Sequence, residues 1–184
     1  MVGDMSDTTA FPDGTASNRK TLMKPFILTI LLIIADQITK LLVIAKIPYR
    51  TIAFTMWNDF FRLIHVRNTG VAFSMGDSLP LAFRKGLFIL LPLIAMTVLV
   101  VYIVRSREET VFQKYCLAGI LGGGLGNQID RIFRPEGVVD FLDFRFYGLF
   151  GMERWPTFNI ADASVVVFGI LLFISFWGKE KEKK

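Results

Sequence analysis

Four apolar blocks, each long enough to span a membrane, constrain this chain more than any other feature. Pro25–Ala45 has 21 residues, Gly86–Val104 has 19, Val111–Ile129 has 19 and Pro156–Gly178 has 23. At 1.5 Å per residue, helices of these lengths cross roughly 30 Å of hydrocarbon. Only Asp36 and Lys40 are charged in the first block, Lys114 in the third and Asp162 in the fourth. An apolar content of 53% and a mean hydropathy of +0.49 over 184 residues exceed what one small soluble core takes up. The chain is therefore expected to be a single integral-membrane domain over residues 1–184, an all-α bundle of four transmembrane helices.

Charge and cysteine usage narrow the class further. The single Cys116 excludes an internal disulfide framework. The formal charge of +5 comes from cations that border the apolar blocks, so membrane lipids are the expected partner; no basic stripe suited to nucleic acid is found. The first block is read as a retained helix and not a cleaved leader, because charges lie within it and no small-residue cleavage site follows. Four spans put both termini on one side, and the denser Lys and Arg of the termini and the second loop assign that side to the cytoplasm. Residues 1–20 are polar and predict a disordered tail. Between the first two spans, residues 46–85 hold two runs rich in aromatic and β-branched residues, Thr51–Trp57 and Phe60–Val66. Turn residues Asn58-Asp59 and Asn68-Thr69-Gly70 follow them, predicting a small sheet on the outer membrane surface.

Ionisable residues inside apolar blocks need a reason, since each costs about 2.5–3.5 kcal/mol at a helix centre on insertion scales. Asp36 and Lys40 are four apart, acid first, so they meet on one face as a self-neutralising pair or as a brace for a nearby site. Gly119 and Gly123, and Gly122 and Gly126, have the small-xxx-small spacing that lets helices approach closely. Asn127 and Arg131 share a face at the end of the third block and can hold a carboxylate or a backbone.

Asp140 lies among large apolar residues just beyond that block. Asp162 lies three residues after Asn159, about 9 Å along a helix counted from Pro156. Taken singly, each aspartate reads equally well as a capping or ion-paired residue. Brought together in a partly dehydrated site, two carboxylates share a proton, one acting as base and the other as acid, which is the chemistry of aspartic peptidases. A lone His65 and a lone Cys116 argue against zinc, whereas Asp130, Asp140, Asp143 and Asp162 leave Mg²⁺ open.

Five patterns in order, Asp36-Gln-Ile-Thr-Lys40, Asn68-Thr-Gly-Val-Ala-Phe73, Gly122 to Arg131, Val139-Asp140-Phe141 and Phe158-Asn-Ile-Ala-Asp162, resemble the bacterial lipoprotein signal peptidases, also called signal peptidase II. The likeness runs from about residue 25 to 178, and Gly124 departs from the family's more usual Ala or Ser. It implies an aspartic endopeptidase of the bacterial cytoplasmic (inner) membrane that cuts diacylglyceryl-modified prolipoproteins immediately before the lipidated cysteine. It implies Asp140 and Asp162 as the catalytic pair, with Asn127, Arg131, Asn159, Asp36, Lys40, Asn68, Gly70 and Asp130 as substrate-binding or supporting residues. It also implies a β-rich extracytoplasmic cradle between helices 1 and 2, no metal or organic cofactor, and a monomer. The aromatic run Asn68–Gly76 is the candidate for a closing lid. Two other classes stay open on the residues alone: a small transporter lined by Asp36, Lys40 and Asp162, and a Mg²⁺-dependent lipid transferase.

Overall fold

A computed structural model describes residues 14–70, 81–106 and 108–181. Four helices carry the chain: α1 (Gly14–Lys46), α2 (Leu81–Arg105), α3 (Val111–Phe133) and α4 (Ile160–Lys181). Three strands accompany them: β1 (Ile52–Met56), β2 (Phe61–Asn68) and β3 (Val138–Phe144). Among the described residues three stretches are long and apolar enough to cross a membrane: Met23–Lys46 of α1, Gly86–Arg105 of α2 and Ile160–Trp177 of α4. Their outer faces expose Ile30, Leu31, Leu90, Val98, Phe173 and Ile174, a surface that water penalises and lipid tails do not. The chain is a mostly helical membrane protein.

The third helix differs from the other three. Its glycines and its polar C-terminal half keep it out of that apolar set, yet it packs against α1, α2 and α4 together. Reciprocal hydrogen bonds between Thr110 and Gln113 cap its start. The glycine spacing works on two faces. A Cβ at Gly119 would meet the Phe168 ring and one at Gly123 would lie 2.3 Å from the Ala161 carbonyl oxygen, so this pair admits α4. A Cβ at Gly122 would meet Thr29 and Leu32, and one at Gly126 would lie 2.8 Å from Asp36 Oδ2, so the other pair admits α1. Thr29 Oγ1 also donates to the Ala118 carbonyl at 2.8 Å, joining α1 to α3.

Helix ends depart from the boundaries read in the sequence: α2 begins at Leu81 and not at Gly86, α3 runs on to Phe133 and not only to Ile129, and α1 and α4 begin elsewhere as well. The first helix starts at Gly14, so residues 14–20 of the expected polar tail are helical, while residues 1–13 lie outside the described residues. The last starts at Ile160 and not at Pro156, because residues before it return to the sheet. Phe141 and Leu142 both donate their N–H to the Phe158 carbonyl, and Phe158 N–H donates back to Leu142. Asp162 therefore sits in the first turn of α4.

The sheet is antiparallel in the order β1-β2-β3. It is not confined to the segment between the first two helices, because its third strand comes from between α3 and α4. That strand pairs Asp140 with Val66 and Val138 with Asn68. Gly137 makes the turn into it at φ +105°, and a Cβ there would meet the Asn68 carbonyl oxygen at 2.6 Å. Val43 and Ile47 of the α1 end pack with Val139 and Phe141, which seats β3 on the helices. The run Asn68–Gly76 is described only as far as Gly70; the rest of the candidate lid lies outside the described residues.

Candidate active site

The ends of α1 and α3, the start of α4 and the strand β3 converge on one buried polar cluster. Lys40 is fully buried, and its Nζ has three partners: Asp36 Oδ2 at 2.8 Å, Asp130 Oδ2 at 3.2 Å and Asn127 Oδ1 at 2.9 Å. An ammonium has three donors, and all three are used. Pairing within the cluster offsets the desolvation of Lys40 and of the two buried carboxylates.

Each of those carboxylates also fixes a backbone. Asp36 Oδ1 accepts from the Ala161 N–H at 3.0 Å, an N–H in the first turn of α4 that has no partner within its own helix. Asp130 Oδ2 accepts from the Val139 N–H at 3.0 Å, beside Asp140, while its Oδ1 is ion-paired with Arg134. Gln37, which the sequence reading passed over, donates to Asp36 Oδ2 at 3.1 Å, to Asp130 Oδ1 at 3.0 Å and to the Gly126 carbonyl at 3.1 Å. Its place beside Asp36, inside the Asp36–Lys40 pattern, was the only hint in the sequence.

Asn159 joins the two aspartates. As N-cap of α4 its Oδ1 accepts from the Asp162 N–H at 3.0 Å, and Asp162 Oδ2 accepts from the Asn159 N–H at 3.2 Å, a reciprocal cap. Its Nδ2 lies 2.7 Å from Asp140 Oδ1, 3.0 Å from Asn127 Oδ1 and 3.2 Å from the Val139 carbonyl oxygen. Asn127 Nδ2 completes the circuit with a 2.7 Å bond to Asp162 Oδ1. Asn68 accepts from the Gly70 N–H at 2.9 Å through its Oδ1, which leaves its amide nitrogen for Asp140. Gly70, at φ +83°, makes that turn possible.

Burial sets the Asp140 carboxyl apart from an ordinary one. Asp140 is 2% exposed, and burial together with the nearby charge of Asp162 pushes its carboxyl up to about 7. Two hydrogen-bonded donors, Asn127 Nδ2 and the Asn159 N–H, converge on Asp162. The guanidinium of Arg131 interacts with Asp162, Asp140 and Asp130, and it is held by the Phe88 carbonyl at 3.4 Å and the Phe88 ring at 5.8 Å.

The structure thus gathers Asp36, Lys40, Asn127, Asp130, Asp140, Asn159 and Asp162 into one hydrogen-bonded cluster, with Asn68, Gly70 and Arg131 on its border. Asp143 is elsewhere, ion-paired with Arg154 at 2.8 Å. His65 is also apart, its Nδ1 within 2.8 Å of the Ile47 carbonyl oxygen. Among the described residues no group of three His, Cys, Asp or Glu side chains is arranged to hold a metal ion.

A buried amide network that joins Asp140 of β3 to Asp162 of α4, beside apolar helices, has the make-up of a membrane hydrolase of the aspartic type. The chain belongs to the signal peptidase II family: the model of that family, described as signal peptidase (SPase) II, matches residues 28–178. It is 46% identical over 151 residues to the lipoprotein signal peptidase of Borrelia garinii subsp. bavariensis, covering 82% of this chain and 87% of that one. It is 46% identical over 152 residues to the lipoprotein signal peptidase of Treponema pallidum, covering 83% and 82%. A solved structure described as a bacterial membrane enzyme determined by the in meso method at 2.3 Å resolution superposes with a TM-score of 0.72 at 27% identity, covering 88% of this chain and 92% of that one. The chain is a peptidase of the membrane.

Proposed function

We propose that this enzyme removes the signal peptide of diacylglyceryl-modified prolipoproteins immediately before the lipidated cysteine, using Asp140 and Asp162 as a proton-sharing pair. The observation that carries the reading is Asn159, which bonds both carboxylates while capping the helix that bears one of them. Burial and the nearby Asp162 raise the Asp140 carboxyl to about 7, so the pair can carry one shared proton near neutral pH, and the mechanism starts with that proton on Asp140. Asp162 then takes a proton from water as its oxygen adds to the scissile carbonyl, and Asp140 donates to the carbonyl oxygen. Collapse of that adduct breaks the C–N bond, and the cysteine amine leaves with a proton returned by the pair. Arg131 supports the single negative charge that passes from Asp162 to Asp140, and Asp36, Lys40, Asn127 and Asp130 hold the donors in place.

The membrane arrangement that fits this chemistry is four crossings, α3 included, with both termini in the cytoplasm of the bacterial inner membrane. The sheet then forms the extracytoplasmic cradle, beside the headgroups where a lipid-anchored substrate presents its scissile bond. In support, the buried Asp36 and Lys40 of α1 and Asp130 of α3, with the half-buried Asp162 of α4, lie toward one end of their helices, a placement that suits an interfacial site better than a conducting path. The reading requires no metal or organic cofactor, no nucleic acid and no second subunit.

The test is cleavage of a diacylglyceryl prolipoprotein peptide in detergent by wild type, Asp140→Asn and Asp162→Asn, each with and without EDTA. Folded variants that each lose roughly 10³-fold or more in turnover, with no effect of EDTA, support the pair. Near-normal turnover by either variant removes it from the pair, and abolition by EDTA alone makes the carboxylates metal ligands.

A further inference from the structure

Pro92 stands inside α2. A proline has no N–H, so the carbonyl four residues earlier, that of Phe88, has no helical donor. In a membrane-spanning helix such a freed carbonyl needs a donor from a neighbouring element. Here it has two, both from the C-terminal part of α3: Gln128 Nε2 at 3.2 Å and Arg131 Nη1 at 3.4 Å. Both bonds are long, so neither is strong alone. The Phe88 ring adds to the hold, with the Arg131 guanidinium carbon 5.8 Å from its centroid. The same ring lies against the turn after β2, where a Cβ on Gly70 would meet it at 3.5 Å.

Arg131 extends from the rim of a site whose carboxylates, Asp140 and Asp162, have their amide donors already assigned. Its guanidinium is held by the α2 backbone and the Phe88 ring. With an ordinary residue at 92, a helical N–H would take one of the two lone pairs of the Phe88 carbonyl, and Gln128 and Arg131 would compete for the other. We propose that Pro92 is a positioning residue for the peptidase reaction. By removing one hydrogen bond from α2, it leaves both lone pairs of the Phe88 carbonyl to α3, and that carbonyl, together with the Phe88 ring, holds Arg131 within electrostatic reach of the two aspartates. This rests on the role given to Arg131 at the aspartate pair.

A purely structural account makes Gln128 and Arg131 a repair of the damage proline does to a helix. The two accounts differ in a measurable way. Replacing Pro92 by Ala restores a helical hydrogen bond, so both accounts expect a thermal midpoint no lower than wild type. Only the positioning account expects turnover to fall.

The experiment measures kcat and KM on a diacylglyceryl prolipoprotein peptide, and thermal unfolding in the same detergent. The proteins are the full chain as wild type, Pro92→Ala, Phe88→Leu, Arg131→Ala and the Pro92→Ala/Arg131→Ala double variant. The expected result is a folded Pro92→Ala enzyme with kcat down about tenfold, KM within about twofold, and no further loss when the substitution is added to Arg131→Ala. Phe88→Leu keeps both the proline and the carbonyl. It is expected to lower kcat about threefold, and it decides the matter if Pro92→Ala does not fold. Wild-type kcat in every folded variant among Pro92→Ala and Phe88→Leu, while Arg131→Ala is impaired, overturns the proposal and leaves the aspartate pair standing. So does full additivity of the Pro92 and Arg131 losses. Full turnover by Arg131→Ala overturns it together with the role of Arg131, a failure distinguished by that single variant.

Discussion

Lys40 Nζ lies 2.9 Å from Asn127 Oδ1, and that bond sets the direction of both amides in the site. An ammonium only donates, so Asn127 turns its oxygen toward Lys40 and its nitrogen toward Asp162. With that oxygen fixed as an acceptor, Asn159 presents its nitrogen to Asn127 and to Asp140. A buried cation on α1 thereby arranges for each aspartate to be approached by an amide donor, although it touches neither.

Replacing Lys40 by Met leaves Asp36 and Asp130 buried without their shared cation. We expect a loss of about 3–5 kcal/mol in stability, as for other buried pairs broken from one side, together with loss of turnover. Thermal unfolding in detergent and peptide cleavage measure the two. Adding Asp36→Asn to Lys40→Met should return part of the stability and none of the activity. If the single variant keeps wild-type turnover, Lys40 does not orient the amides.

Asn159 performs two tasks that substitutions can separate. Ser is a good N-cap, so Asn159→Ser should hold the α4 terminus within about 1 kcal/mol of wild type. It has no amide to reach Asp140 and Asn127, and turnover should drop roughly a hundredfold. Asn159→Ala should lose both functions, with about 1–2 kcal/mol of stability gone as well. Equal activity in Asn159→Ser and wild type would reduce Asn159 to a cap.

The carboxyl of Asp140 is held at about 7 in the folded chain against 3.8 for a free aspartate. Between those values the folded state binds more protons than the unfolded one, so stability falls as pH rises. This group's contribution is complete below about pH 4 and lost as pH passes about 7. Asp140→Asn carries no such titration. The variant should match wild type at pH 4 and exceed it at pH 8 by on the order of a few kcal/mol, read from unfolding at the two pH values. By the same shift, wild-type kcat should decline above about pH 7 as the pair gives up its shared proton. A flat profile from pH 6 to 9 would contradict this.

Much of this architecture was legible because lipid and helix periodicity leave plain marks in sequence. The apolar blocks gave the helices. The alternation of aromatic and β-branched residues gave β1 and β2 to within two residues at either end. The i, i+4 and i, i+3 spacings put Asp36 with Lys40 and Asn159 with Asp162 on common faces, as the 2.8 Å ion pair and the reciprocal cap of α4 display. The closure of the site was not legible in spacing. Val138–Phe144 reads as an apolar run with carboxylates, and nothing local says that it pairs with β2, 70 or more residues earlier, or that Val139 binds Asp130. The start of α4 was misplaced because Pro156 is a good helix opener, whereas the isolated bridge of Phe158 to Leu142 delays the helix until after Asn159. Gln37 and Gln128 were missed because an amide beside stronger charges carries no periodic signal of its own.

The N-terminus of α4 is stitched from three directions: Asn159 within its own turn, Asp36 from α1 and the Phe158 bridge from β3. This helix follows every other element of the site along the chain, so it is synthesised after them. A nascent enzyme with α1, α2, α3 and β3 in place has its cation, its amide on α3 and one aspartate, but no partner carboxyl and no Asn159. On the proposed aspartate pair, proteolytic competence therefore arrives in a single late event, the docking of one helical turn.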